Sequence, residues 1–112
     1  MARIVGLTEH RQKRQPAPVY FDRTELNTLL GLYSRHVAKG EWRDYAIGHE
    51  PGVAQFSVFR YSSETALFTI TKRIQTGKPL YAVHDGTKKL RQSGILDDAL
   101  AALNKPLRLI LG

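Results

Sequence analysis

Cysteine is absent from the 112-residue chain. That excludes disulfides, thiolate nucleophiles and cysteine-held metals, and it fits a reducing compartment. No apolar run approaches the roughly 18 residues that a membrane-spanning helix needs. Met1 to His10 also lack the apolar stretch of a signal peptide. These absences predict a cytoplasmic protein with no membrane partner. Acidic charge is scarce too: ten Asp and Glu stand against 17 Lys and Arg, a net charge of +7. The hydrophobic share of 42% is ordinary for a folded protein, and the length suits one domain.

The positive excess sits in two places. In residues 1–21, Arg3, Arg11, Lys13 and Arg14 face only Glu9. In residues 72–91, Lys72, Arg73, Lys78, Lys88, Lys89 and Arg91 face only Asp85. The first stretch is polar and broken by Pro16 and Pro18, and it has too little apolar area to offset its ordering entropy. The expected organisation is a flexible basic arm over 1–17 and a single domain over 18–112.

Within that domain, Asp22 and Glu25 have the spacing of a capping box, with Phe21 and Leu26 as a hydrophobic staple. Leu26, Leu29, Leu30, Tyr33 and Val37 then recur at helical spacing up to Gly40, which predicts a helix over 22–39. Beyond Gly40 the period becomes two. Strands are expected around Tyr45 and Ile47, over 53–60, over 65–73 and over 80–84, with turns at 49–52, 61–64 and 75–79. Asp85-Gly86 predicts a tight hairpin in which His84 faces Thr87 and Tyr81 faces Leu90. A short second helix runs over 95–103 and stops before Pro106. The fold class is α+β: an antiparallel meander of four to five strands, with an N-terminal and a C-terminal helix packed on one face. That face takes Phe56, Val58, Phe68, Ile70, Tyr81, Val83 and Leu90. Ser57, Phe59, Thr69, Thr71, Ala82, Lys89 and Arg91 take the other, which can stay wet.

The stretches Val19 to Asn27, Gly40 to Ile47 and Phe56 to Arg60 resemble a small bacterial family known only as a domain of unknown function. The likeness spans roughly residues 18–105, and Gly40-Glu41-Trp42-Arg43-Asp44-Tyr45-Ala46-Ile47 is its most specific part. It implies a one-domain cytoplasmic bacterial protein. It implies no activity, cofactor or site residues.

Chemical motifs are few. Thr76-Gly77-Lys78 lacks the earlier glycine and following hydroxyl of a phosphate-binding loop, so it reads as a turn. His10, His36, His49 and His84 have none of the partner spacings of a metal site, and His36 reads as a packing residue. Ser34, Ser62 and Ser63 sit in no nucleophile arrangement. Trp42, just past the helix, reads as a plug between helix and sheet. No enzyme, cofactor or metal is expected. The basic block remains, with Lys72, Arg73, Lys78, Lys88, Lys89 and Arg91 as candidate phosphate contacts and Phe59 as a stacking surface for RNA or single-stranded DNA. The competing expectation is a protein-interaction module, or a homodimer paired through sheet faces or edges, with lysines that merely guard a sheet edge.

Overall fold

A computed structural model describes residues 17–61 and 65–104. The expected arm, apart from Ala17, lies outside the described residues. Helix α1 spans Arg23–Ala38. Strands β1 (Asp44–Glu50), β2 (Val53–Phe59), β3 (Phe68–Gln75), β4 (Lys78–Asp85) and β5 (Lys88–Ser93) follow. Helix α2 (Leu96–Leu100) then runs into a 3₁₀ turn over Ala101–Asn104. The strands form one antiparallel sheet in the order β1-β2-β3-β4-β5, so the α+β meander is the observed fold.

The cap of α1 forms as its spacing predicts. Asp22 Oδ1 accepts from the Glu25 N–H at 2.8 Å, and Glu25 Oε1 accepts from the Asp22 N–H at 2.8 Å. The buried line of the helix is Glu25, Leu29, Leu32 and His36. This is rotated from the expected stripe, and Val37 is exposed. The rotation follows from polar groups that have partners inside. Lys72 Nζ donates to Glu25 Oε1 at 2.7 Å and to the Tyr20 carbonyl at 2.9 Å, and the Tyr81 hydroxyl donates to Glu25 Oε2. Burial first, then the bond to Glu25, raises the Tyr81 hydroxyl pKa above its ordinary value. One carboxylate thus clamps the helix start to β3 and β4.

The apolar core lies between sheet and helices: Ala54, Phe56, Val58, Ile70 and Val83 meet Leu29, Leu32, Leu96, Ala99, Leu100 and Leu103. Three strand connections are two-residue turns, at Pro51-Gly52, Thr76-Gly77 and Gly86-Thr87. The last differs from expectation. Gly86, at φ 63°, takes the first central position that a type II′ turn reserves for glycine. Asp85 therefore pairs with Lys88, and a β-bulge between Val83 and His84 sets His84 opposite Lys89 and Val83 opposite Arg91. Leu90 is the extra residue. It lies at the bulge instead of pairing with Tyr81, which faces Ser93.

Two substitutions test this frame by urea unfolding. Asp22→Ala should cost about 0.5–2 kcal/mol through loss of the cap. Lys72→Met should cost more, about 3–5 kcal/mol, because Glu25 would be left as a buried, unpaired carboxylate. Equal losses in the two variants would contradict the clamp.

Candidate functional site

The basic block is not one surface. Lys72 is on the inner face, buried and paired with Glu25, so it is unavailable to phosphate. Alternation along β3 forces this: Phe68 and Ile70 point inward, and Lys72 is next in that row. Arg91, expected on the outer face beside Lys89, lies on the inner face opposite Val83. The bulge is the physical reason, since one extra residue between 89 and 91 sends the two side chains to opposite faces. Arg91 Nη2 donates to Asp98 Oδ1 at 2.6 Å. Lys78 opens β4, while Lys88 pairs with Asp85 at its far end, so the two stand about 23 Å apart along the strand. On the outer face remain Arg73, Lys78, Lys89 and the half-buried Phe59. Lys89 Nζ donates to Gln92 Oε1 at 2.5 Å.

The inner-face end of the sheet does build a site. A cavity of about 610 Å³ opens between the last turn of α1, the start of β3, the β5 bulge and the 3₁₀ turn. Its apolar wall is Trp42, Leu67, Phe68, Leu90, Ala102 and Leu103, and its polar groups are His36, Glu41, Arg60 and Arg91. A Schellman cap aims the chain here. The Glu41 N–H reaches the His36 carbonyl and the Gly40 N–H reaches the Val37 carbonyl, each at 2.9 Å. Gly40 supplies the left-handed residue, at φ 77°. This turn folds Glu41 back onto His36, whose Nδ1 lies 2.6 Å from Glu41 Oε1. Trp42, only 3% exposed, stacks on the His36 ring at 3.9 Å and 12°. The expected plug is thus also a pocket wall, and the expected packing role of His36 holds.

Arg91 carries the main chemical signal. Its Nε is buried with no hydrogen-bond partner among the described residues, and Arg60 lines the same cavity from the end of β2. Alternation along the chain points Arg91 outward and Leu90 to the core, and gives Arg60 and Leu67 no signal; the four meet only through the bulge and the strand register. Among the described residues, no group of three metal-ligating side chains comes together, and no helix is long and apolar enough to cross a membrane.

A family model described as a protein of unknown function, DUF2794, matches residues 19–94, which take in α1 and all five strands. The chain belongs to the DUF2794 family. The resemblance seen in the sequence therefore holds, although the matched span ends before α2. No curated protein and no solved structure matches the chain. In this DUF2794 protein the cavity is walled on three sides by the matched span, and its fourth side, Ala102 and Leu103, comes from beyond it.

The outer face carries one perturbed group. His84 lies 3.5 Å from the Thr71 hydroxyl, and its pKa is lowered by burial first, then by Lys89 and Arg73. A lowered histidine pKa means that the unfolded chain takes up the proton first. His84 therefore contributes stability that is fully present above the unfolded value near 6.5, and that is lost as pH falls from there through the lower folded value. His84→Gln should remove this part of the acid sensitivity. Between pH 7 and pH 5 the melting point of the parent protein should fall relative to that of His84→Gln; parallel curves would show that His84 makes no such contribution.

Proposed function

We propose that this DUF2794 protein is a cytoplasmic, non-enzymatic binding module whose cavity takes a small ligand that joins a carboxylate to an apolar body. The observation that carries the reading is the meeting of two guanidinium-bearing residues, Arg60 and Arg91, at the wall of a mostly apolar cavity. A guanidinium presents a planar fork that matches carboxylate geometry. Arg60 adds a second positive charge at the same wall, while Trp42, Phe68 and Leu90 offer apolar contact. The volume lies within the roughly 300–1,000 Å³ of ordinary ligand pockets. The one imidazole at the wall is held by Glu41 and stacked on Trp42. Among the described residues, no hydroxyl or amine nucleophile lines the cavity, which supports binding over catalysis.

A second reading keeps RNA or single-stranded DNA on the outer face. The specific observation in its favour is that Phe59, Arg73 and Lys89 share that face, in a protein of net charge +7. Its reach is shorter than the six cations of the basic block, because Lys72 and Arg91 are committed elsewhere.

Octanoate and octanol separate these readings. Trp42 is the sole tryptophan, so its emission reports on the cavity. Octanoate should change that emission and raise the melting point, and octanol should bind at least about tenfold more weakly. Arg60→Gln should weaken octanoate by about tenfold, the equivalent of about 1.4 kcal/mol. Equal binding of acid and alcohol, or none of either at millimolar concentration, would exclude a carboxylate pocket. Retardation of labelled RNA that Lys89→Gln abolishes would favour the outer face instead.

A further inference from the structure

The two edges of the sheet are unlike. β5 begins with two lysines and carries a bulge, and α2 packs beside it. These are the devices by which proteins blunt a strand edge against pairing. β1 has none of them. It runs seven residues, contains no proline or lysine, and keeps an unbroken register against β2 from Asp44–Phe59 to Glu50–Val53. Its other edge meets no strand among the described residues.

The inner face above that edge is also incompletely covered. Tyr45 and Ile47 lie in the row that faces Val58 and Phe56, yet they are 39% and 41% exposed. Beside them is the helix stripe left over by the rotation of α1. Leu26, Leu30 and Tyr33 are half-buried, Val37 is 41% exposed, and these positions share one helix face by their three- and four-residue spacing. The ring of Tyr33 meets that of Tyr45 edge-on at 4.9 Å, so this stripe overlooks β1. A bare strand edge thus lies directly under a half-bare apolar helix face.

We propose that a second copy of this chain fills both vacancies at once, with β1 pairing antiparallel to β1 of the second copy across a two-fold axis normal to the sheet. That axis keeps both inner faces on the same side. The result is a continuous ten-stranded sheet on which the two α1 helices pack stripe against stripe. A strip as long as β1, about 23 Å, and as tall as a sheet with a helix on it, about 20 Å, projects on the order of 450 Å² per copy. That is close to the roughly 500 Å² per partner that a biological interface should clear. The register centred on Ala46 sets Tyr45 opposite Ile47 of the second copy, and does so twice. Aromatic and β-branched residues facing each other are a favourable cross-strand pair. The same register keeps Asp44 from lying opposite Glu50, which the register centred on Ile47 would impose.

The absence of native cysteine makes the test direct. By sedimentation at micromolar concentration the 12.6 kDa chain should show twice its mass. Ile47→Lys should give a monomer that still melts cooperatively. In the Ala46-centred pair, opposed Cα atoms are about 4.5–5.5 Å apart, within disulfide reach. Mild oxidation should therefore cross-link Ala46→Cys and leave Ser57→Cys, in the middle of the outer face, unlinked. A monomeric parent chain overturns the proposal. So does a dimer that survives Ile47→Lys, or one that links through Ser57→Cys and not Ala46→Cys. Because Ala46→Cys leaves the edge apolar, it decides the matter even if Ile47→Lys does not fold.

Discussion

The Glu25 carboxylate is the point from which the rest of the molecule is positioned. It accepts from the N–H of Asp22, from Lys72 on β3 and from Tyr81 on β4. Taking a carboxylate and an ammonium out of water is costly, and their attraction offsets that cost only when the remaining lone pairs and protons are also satisfied. Here both Glu25 oxygens are used, and Lys72 also reaches the Tyr20 carbonyl. The start of α1, the segment leading into it and two central strands are therefore tied at one place. Turning α1 to point Leu26 or Val37 at the sheet would strand that buried charge.

The far end of the helix inherits this setting. With Glu25 turned inward, Leu29, Leu32 and His36 follow on the same line, and the Schellman turn after Ala38 returns Glu41 and Trp42 to His36. Helix α2 packs over β4 and β5, leaving a gap that the core does not fill. The β5 bulge turns both Leu90 and Arg91 toward that gap. The cavity thus lies between the end of α1 and the 3₁₀ turn after α2, beside a strand that kinks at its bulge. The same rotation leaves the other side of α1 half-bare above β1.

Local features of the fold were legible because their causes are local. Asp22 and Glu25 cap a helix through neighbours three residues apart, Gly40 permits the left-handed turn, and alternation along β2 and β3 separates core from solvent. The candidate site was less legible. Lys72 reads as one more cation in a basic run, although its place in the Phe68–Ile70 row already directs it inward. Whether an inward lysine is tolerated depends on a carboxylate 47 residues away, and spacing along the chain does not report that. Arg91 was misplaced for a different reason: an Asp-Gly pair marks a hairpin but leaves its centre free by one residue, and the bulge then changes the face of everything beyond it.

Sequence by itself determined the element types, the meander order, the capped helix and the buried tryptophan beside it, because propensity, capping and hydrophobic period act over a few residues. Tertiary structure decided which charges are consumed, which face Arg91 takes, how α1 is rotated, and where a cavity and a bare edge remain. Those outcomes depend on long-range pairing between groups that must be desolvated together. A buried charge takes the partner that the assembled fold places within about 3 Å, whatever its neighbours in the chain suggest.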